Sequence, residues 1–233
     1  ALLNLIEQVA AWKIDGKLGT EALTKRLMKR AAKYDKSGDE HYNLISALHK
    51  SIRGSDPDAA LYWFSRMLLG GEDPRFLARR LTRMAVEDIG LADPQAQTIC
   101  LHAWETYERL GSPEGELALA QAVTYLALAP KSNAGYVAFK AAMDAARKTG
   151  SEPPPKHILN APTRLMEQQG FGAGYAYDHD AEDGFSGQNY FPETMKRPVY
   201  YQPVDRGFER ELKKRVDFFA GLRAKRQSTK PRN

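Results

Sequence analysis

At 233 residues, with 42% hydrophobic and 27% charged side chains, the chain has the composition of an ordinary folded protein rather than a disordered one. No apolar run approaches the ~18 residues of a membrane-spanning helix, and no basic start, apolar middle and small-residue cleavage site marks a signal peptide. The formal charge of +5 is uneven: residues 206–233 carry ten Lys and Arg against Glu209, Glu211 and Asp217, a net of +7, so residues 1–205 sum to −2.

The chain opens on Ala1-Leu2-Leu3-Asn4-Leu5-Ile6, already inside an amphipathic pattern and without a capping residue, so it is expected to be a fragment of a longer protein. Helices are expected near 2–13, 20–33 and 40–53. Lys25, Lys29 and Lys33, joined by Arg26 and Arg30, give the second of these a basic face. One start signal then recurs. Asp56-Pro57, Asp73-Pro74, Asp93-Pro94 and Ser112-Pro113 each set a capping side chain directly before proline. The Asp or Ser oxygen accepts from free backbone N–H groups, and proline at the first helical position loses no hydrogen bond. The spacing of these starts leaves room for helices of roughly 14–17 residues joined by short turns, an antiparallel helical array.

Within the array, Ala59-Ala60-Leu61-Tyr62-Trp63-Phe64 is rich enough in large apolar groups to lie in the core or to face another subunit. Tyr62, Trp63 and Phe64 are the candidates for that role. Arg75, Arg79 and Arg83 stand at i, i+4 and i+8 with Arg80 beside them, while Phe76, Leu77, Leu81 and Met84 take the other side. Such a presented basic face suits phosphate contacts, and it equally suits plain solvation. The stretch Leu117–Leu128 is apolar nearly all round and is expected to be a central helix buried on every side. A further helix is expected near 132–148. Pro153-Pro154-Pro155 then breaks the helical texture, and residues 170–204 mix Gly, Tyr, Phe and Pro without period. This segment reads as an irregular arm anchored by its aromatics, with room for a short hairpin. A last helix near 206–226 carries the basic tail, which is a nucleic-acid contact or a solvated terminus.

Chemistry is sparse. A phosphate loop would need glycines ending in Gly-Lys-Ser/Thr; Gly16-Lys17 is followed by Leu18 and lacks the preceding glycine. The chain alone is expected not to hydrolyse ATP. Asp178-His179-Asp180-Ala181-Glu182-Asp183-Gly184 imitates a calcium loop, but its glycine falls one position late and its twelfth position is Asn189. His41 and His49 are too far apart for one helical-turn metal site. The single cysteine, Cys100, excludes a disulfide framework and multi-cysteine metal sites; it sits in the apolar register Ile99-Cys100-Leu101, as a buried thiol would. Glu87 and Asp88 are adjacent on a helix and point in different directions, which suits a cap or salt bridge better than a catalytic couple. No catalytic or metal-ligating residue is assigned.

Longer motifs carry a resemblance. Tyr34-Asp35-Lys36-Ser37-Gly38-Asp39-Glu40-His41-Tyr42-Asn43, Lys50-Ser51-Ile52-Arg53-Gly54-Ser55-Asp56-Pro57, Gly71-Glu72-Asp73-Pro74, Glu87-Asp88-Ile89-Gly90, Pro130-Lys131-Ser132-Asn133 and Gln188-Asn189-Tyr190-Phe191-Pro192 occur in this order. Together they resemble the C-terminal region of the MgsA/RarA family of clamp-loader-like AAA+ ATPases, which includes the eukaryotic Werner-helicase-interacting ATPase. The resemblance implies an all-α antiparallel array similar to a clamp-loader collar. Residues 1–33 would be the last helices of the AAA+ lid, 34–150 a helical oligomerisation domain, 151–205 the irregular arm and 206–233 a basic helix and tail. It further implies a bacterial cytoplasmic, nucleoid-associated homotetramer acting at stalled or damaged forks. Its partners would be forked or single-stranded DNA and single-stranded-DNA-binding protein, with no membrane. ATP and magnesium would belong to the full-length protein and no cofactor to this fragment. The alternative is a monomeric DNA-binding module that uses the tail and the stripe of Arg75, Arg79, Arg80 and Arg83.

Overall fold

The computed structural model describes residues 19–21 and 39–229. The helix expected over 2–13, most of that over 20–33 and the lysine face at 25–33 lie outside the described residues, as do the last four residues of the tail. The described chain is built of α-helices: α1 (Asp39–Arg53), α2 (Pro57–Leu69), α3 (Pro74–Met84), α4 (Gln95–Leu110), α5 (Glu116–Leu128), α6 (Ala134–Thr149), the short α7 (Arg164–Gln168) and α8 (Glu209–Thr229). No strand occurs among the described residues, and no helix there is long and apolar enough to cross a membrane.

The aspartate–proline signals explain the starts of α2 and α3. Asp56 accepts from the Ala59 amide at 2.9 Å and Asp73 from the Arg75 amide at 2.9 Å, each with proline at the first helical position. Asp93 divides its carboxylate. One oxygen accepts from the Gln95 amide at 3.1 Å, and the other takes the Tyr125 hydroxyl at 2.5 Å, which ties the start of α4 to α5. Ser112-Pro113 does not start a helix. The Ser112 hydroxyl is engaged with Tyr107 Oη at 3.3 Å instead, and α5 begins only at Glu116.

The core is layered around α5, which touches α1, α2, α3 and α4. Leu48 and Ile52 of α1, Phe64 and Met67 of α2, Leu77, Leu81 and Met84 of α3 and Leu119, Val123 and Leu126 of α5 are fully buried together. Each such side chain contributes roughly 1.5–3 kcal/mol by leaving water. Cys100 lies in the same core, where burial pushes its thiol up to about 12, so it stays protonated and unreactive.

Helix α5 is central but not covered on every side. Leu117 is 76% exposed and Leu128 66% exposed, with Gln121 also in solvent between them. These positions recur at i, i+4 and i+11 and form one open stripe, so an apolar sequence all round did not entail burial all round. Helix α6 is more open still. Ala134 is its one buried residue, and its main contacts are with the turns at 85–92.

Beyond α6, residues 150–208 form turns and short helices held by their own hydrogen bonds. Thr163 caps α7, Gln188 bridges the backbone at Gly174 and Ala176, and Lys156 Nζ donates to the Gln169 carbonyl at 3.1 Å. Phe185 anchors this segment to α8, with Phe219 at 5.1 Å and the Arg223 and Arg226 guanidinium groups both over its ring. The Arg226–Asp183 ion pair at 2.6 Å fixes the same junction.

Candidate functional site

Three of the sequence motifs set far apart in the chain, those holding Arg53, Asp88 and Ser132, meet in one place at the end of α3. There the helix relaxes into a π-turn over Ala85–Ile89, followed by a 3-10 turn over Gly90–Ala92. Asp88, in this turn, is buried. His49 Nε2 donates to one of its oxygens at 2.5 Å and Arg53 Nε to the other at 2.6 Å. Burial pushes the Asp88 carboxyl up, but the hydrogen bonds and charges of His49 and Arg53 outweigh it and hold the group below its ordinary value. The backbone carbonyl of Asp88 accepts from the Ser132 amide at 2.7 Å, joining the third motif to the first two. Gly90, at φ +52°, lets the two strands of backbone approach: a Cβ there would stand 2.9 Å from the Ser132 carbonyl oxygen.

The beginning of α8 closes the assembly. Glu209 is fully buried and accepts from the Ser132 hydroxyl at 2.9 Å and the Val204 amide at 2.8 Å. Gly207 (φ +50°) allows that crossing, since a Cβ would meet the Ala92 carbonyl oxygen at 2.0 Å. Between these elements lies a cleft of about 370 Å³ lined by Arg53, Glu87, Asp88, Lys131, Ser132, Asn133, Tyr136 and Arg206. Lys131 reaches back to the end of α5, its Nζ donating to the Ala127 and Ala129 carbonyls at 2.8 and 2.6 Å. A cation there suits the negative end of the helix. Burial lowers its pKa, and the nearby Asp88 opposes that.

A second histidine–carboxylate pair sits at the other end of α3. His41 Nδ1 donates to Glu72 at 2.6 Å, and Glu72 in turn accepts from the Asp73 amide at 3.1 Å. Histidines eight residues apart on α1 thus grip carboxylates just before and just after α3. Spacing alone made His41 and His49 a poor metal pair; their separate partners lie 31 and 39 residues downstream and left no local signal. Among the described residues no group of His, Cys, Asp or Glu is placed to hold a metal ion.

The arginine stripe on α3 is largely engaged within the chain. Arg75 makes a bidentate pair with Glu108 at 2.7 and 2.9 Å. Arg83 binds Glu87 at 2.7 Å and lies over the Tyr136 ring. Arg80 is half-buried, with its Nε lacking a hydrogen-bond partner. Arg79 is exposed above the Phe76 ring and has no ion pair among the described residues. Of the aromatic trio on α2, Phe64 is in the core, Trp63 packs half-buried against it, and Tyr62 is 53% exposed with its ring against Trp63. The cleft and the open face of α6 were not singled out in the sequence, although the motifs that build the cleft were.

The fold and site together define an all-helical domain whose polar groups serve mainly to join helices and frame one cationic cleft. The family described as MgsA AAA+ ATPase C terminal matches residues 54–220, and that described as AAA C-terminal domain matches residues 1–53. The chain belongs to the MgsA AAA+ ATPase C-terminal family. It is 49% identical over 232 residues to the replication-associated recombination protein A of Coxiella burnetii, covering 97% of this chain and 53% of that protein. To the Escherichia coli K12 protein of the same name it is 46% identical over 224 residues, covering 94% and 50%. A Dictyostelium discoideum protein named ATPase WRNIP1 is 42% identical over 177 residues, covering 76% of this chain and 20% of its own length. The chain spans about half the length of the two bacterial relatives.

Proposed function

We propose that this chain is the C-terminal oligomerisation module of a replication-associated AAA+ ATPase working at stalled or damaged DNA forks, and that it carries no ATPase site itself. The observation that supports assembly is the open face of α6. Tyr136, Phe139 and Met143 stand at i, i+3 and i+7, so they form one stripe, and all three are exposed, Phe139 at 66%. A contiguous apolar stripe in water favours association, and the proposed occupant is a second copy of this chain within a homotetramer. Lack of a Gly-rich phosphate loop supports the second part; ATP and magnesium would bind in the ATPase core of the whole protein. Forked or single-stranded DNA and single-stranded-DNA-binding protein are the partners this reading carries, in the bacterial cytoplasm at the nucleoid. The domain limits 1–33, 34–150, 151–205 and 206–233 are proposed with it.

The test is size exclusion with light scattering on the 233-residue chain at low and high salt. The expected result is a salt-resistant tetramer that Phe139→Asp converts to monomer while helical content is retained. A wild-type monomer, or a tetramer untouched by Phe139→Asp, would overturn the role given to α6. Turnover of ATP by the same preparation would overturn the absence of an ATPase site.

A further inference from the structure

Three elements bring basic side chains to the lining of one cleft: Arg53 from the end of α1, Lys131 from the loop after α5, and Arg206 from the approach to α8. Their charges are not equally spent. Arg53 and Arg83 pair with Asp88 and Glu87, which neutralises the two carboxylates of the lining. Glu209 is fully buried and is not part of the lining. Lys131 has only carbonyl partners, and Arg206 makes no ion pair or hydrogen bond among the described residues. The cleft therefore holds two surplus cations from separate elements, facing a concave surface with no carboxylate left over.

The rest of the lining is composed to receive oxygen acceptors. The Ser132 hydroxyl already serves the Ala134 amide and Glu209, so the loop is held in place. The amide of Tyr136, which lines the cleft, lies in the first turn of α6, where no helical carbonyl can reach it. Nothing stands within 4 Å of where a Gly135 Cβ would be, so that turn is open to solvent. Asn133 adds a neutral side chain able to donate. Surplus cations with neutral donors match a phosphodiester, which accepts through two oxygens and carries one charge.

We propose that this cleft, and not the arginine stripe of α3, is where the chain holds the phosphate backbone of a DNA strand, with Lys131 and Arg206 as its charged contacts. The proposal rests on the reading that this chain works on DNA, and it assigns that contact to a site. Because the contact is to backbone alone, it positions a strand without selecting its sequence.

The experiment is fluorescence anisotropy of the full 233-residue chain with a labelled single-stranded oligonucleotide across a salt series. Each lost phosphate contact on a single strand flattens the slope of log K against log salt by about 0.7. Arg206→Ala, on an exposed side chain, is expected to flatten it by about 0.7, and Arg206→Ala with Lys131→Met by about 1.4, equally for oligonucleotides of different sequence. Arg79→Ala is expected to leave the slope unchanged. Should the Lys131 variant fail to fold by circular dichroism, Arg206→Ala alone decides. Wild-type binding with an unchanged slope in Arg206→Ala would overturn the cleft while leaving the DNA reading in place. A wild-type chain that binds no DNA at all would overturn both.

Discussion

Phe64→Ala is expected to lower the stability of the chain by about 3–5 kcal/mol, whereas Tyr62→Ala, two residues away, is expected to change it by less than about 1 kcal/mol. Phe64 is 1% exposed, and it belongs to the core formed by α1, α2, α3 and α5. Truncation removes a large apolar group and leaves a cavity that helices fixed at both ends cannot collapse to fill. Tyr62 is about half exposed, with an edge contact to Trp63 and a long hydrogen bond from Arg66. Urea denaturation at neutral pH measures both. Equal costs for the two variants would mean that the side of α2 facing the core has been misassigned.

The second large effect is expected at Asp88, whose buried carboxylate joins α1 to the turn after α3. Removing one member of a buried charge pair costs about 3–5 kcal/mol when both members are enclosed; Arg53 is half exposed, so Asp88→Ala is expected to cost about 2–3 kcal/mol. Most of that cost falls on His49 and Arg53, which lose the oxygens they donate to. The same carboxylate makes stability depend on pH. Its folded pKa lies below the unfolded value near 4, so its contribution is complete above that value and is lost as pH falls through the folded one. Wild type should therefore lose more stability between pH 5 and pH 2 than Asp88→Asn does, because the amide cannot titrate. Parallel pH profiles in denaturation experiments would refute the arrangement of charges proposed for this cluster.

Both predictions concern contacts that join segments far apart in the chain, and there the amino-acid pattern was an incomplete guide. Asp56 and Asp73 cap their helices because the acceptor, the proline and the free amides all lie within four residues. Ser112 carries the same signal and does not cap: its hydroxyl lies against Tyr107 Oη, and the next helix begins only at Glu116. Likewise, the apolar circumference of α5 indicated a central helix correctly and its complete burial incorrectly. Four neighbours cover one broad side and leave the stripe of Leu117, Gln121 and Leu128 open. The arginines at 75, 79 and 83 share a helix face, as their spacing requires. Whether that face is free is decided for Arg75 by Glu108, on α4, and for Arg83 by Glu87, one turn further along the chain.

The sequence by itself determined the all-helical class, most helix starts, the lack of a phosphate loop and, through its ordered motifs, the family. These depend on periodicity and on hydrogen bonds that close within a few residues, or on words of sequence that need no folding to be read. The tertiary structure alone decided that Arg53, Asp88, Lys131, Ser132 and Arg206 share one cleft, and that α6 turns Tyr136, Phe139 and Met143 to water. Those facts follow from which helix faces meet when the core closes, and a side chain's surplus or spent charge exists only once its partners have been brought beside it.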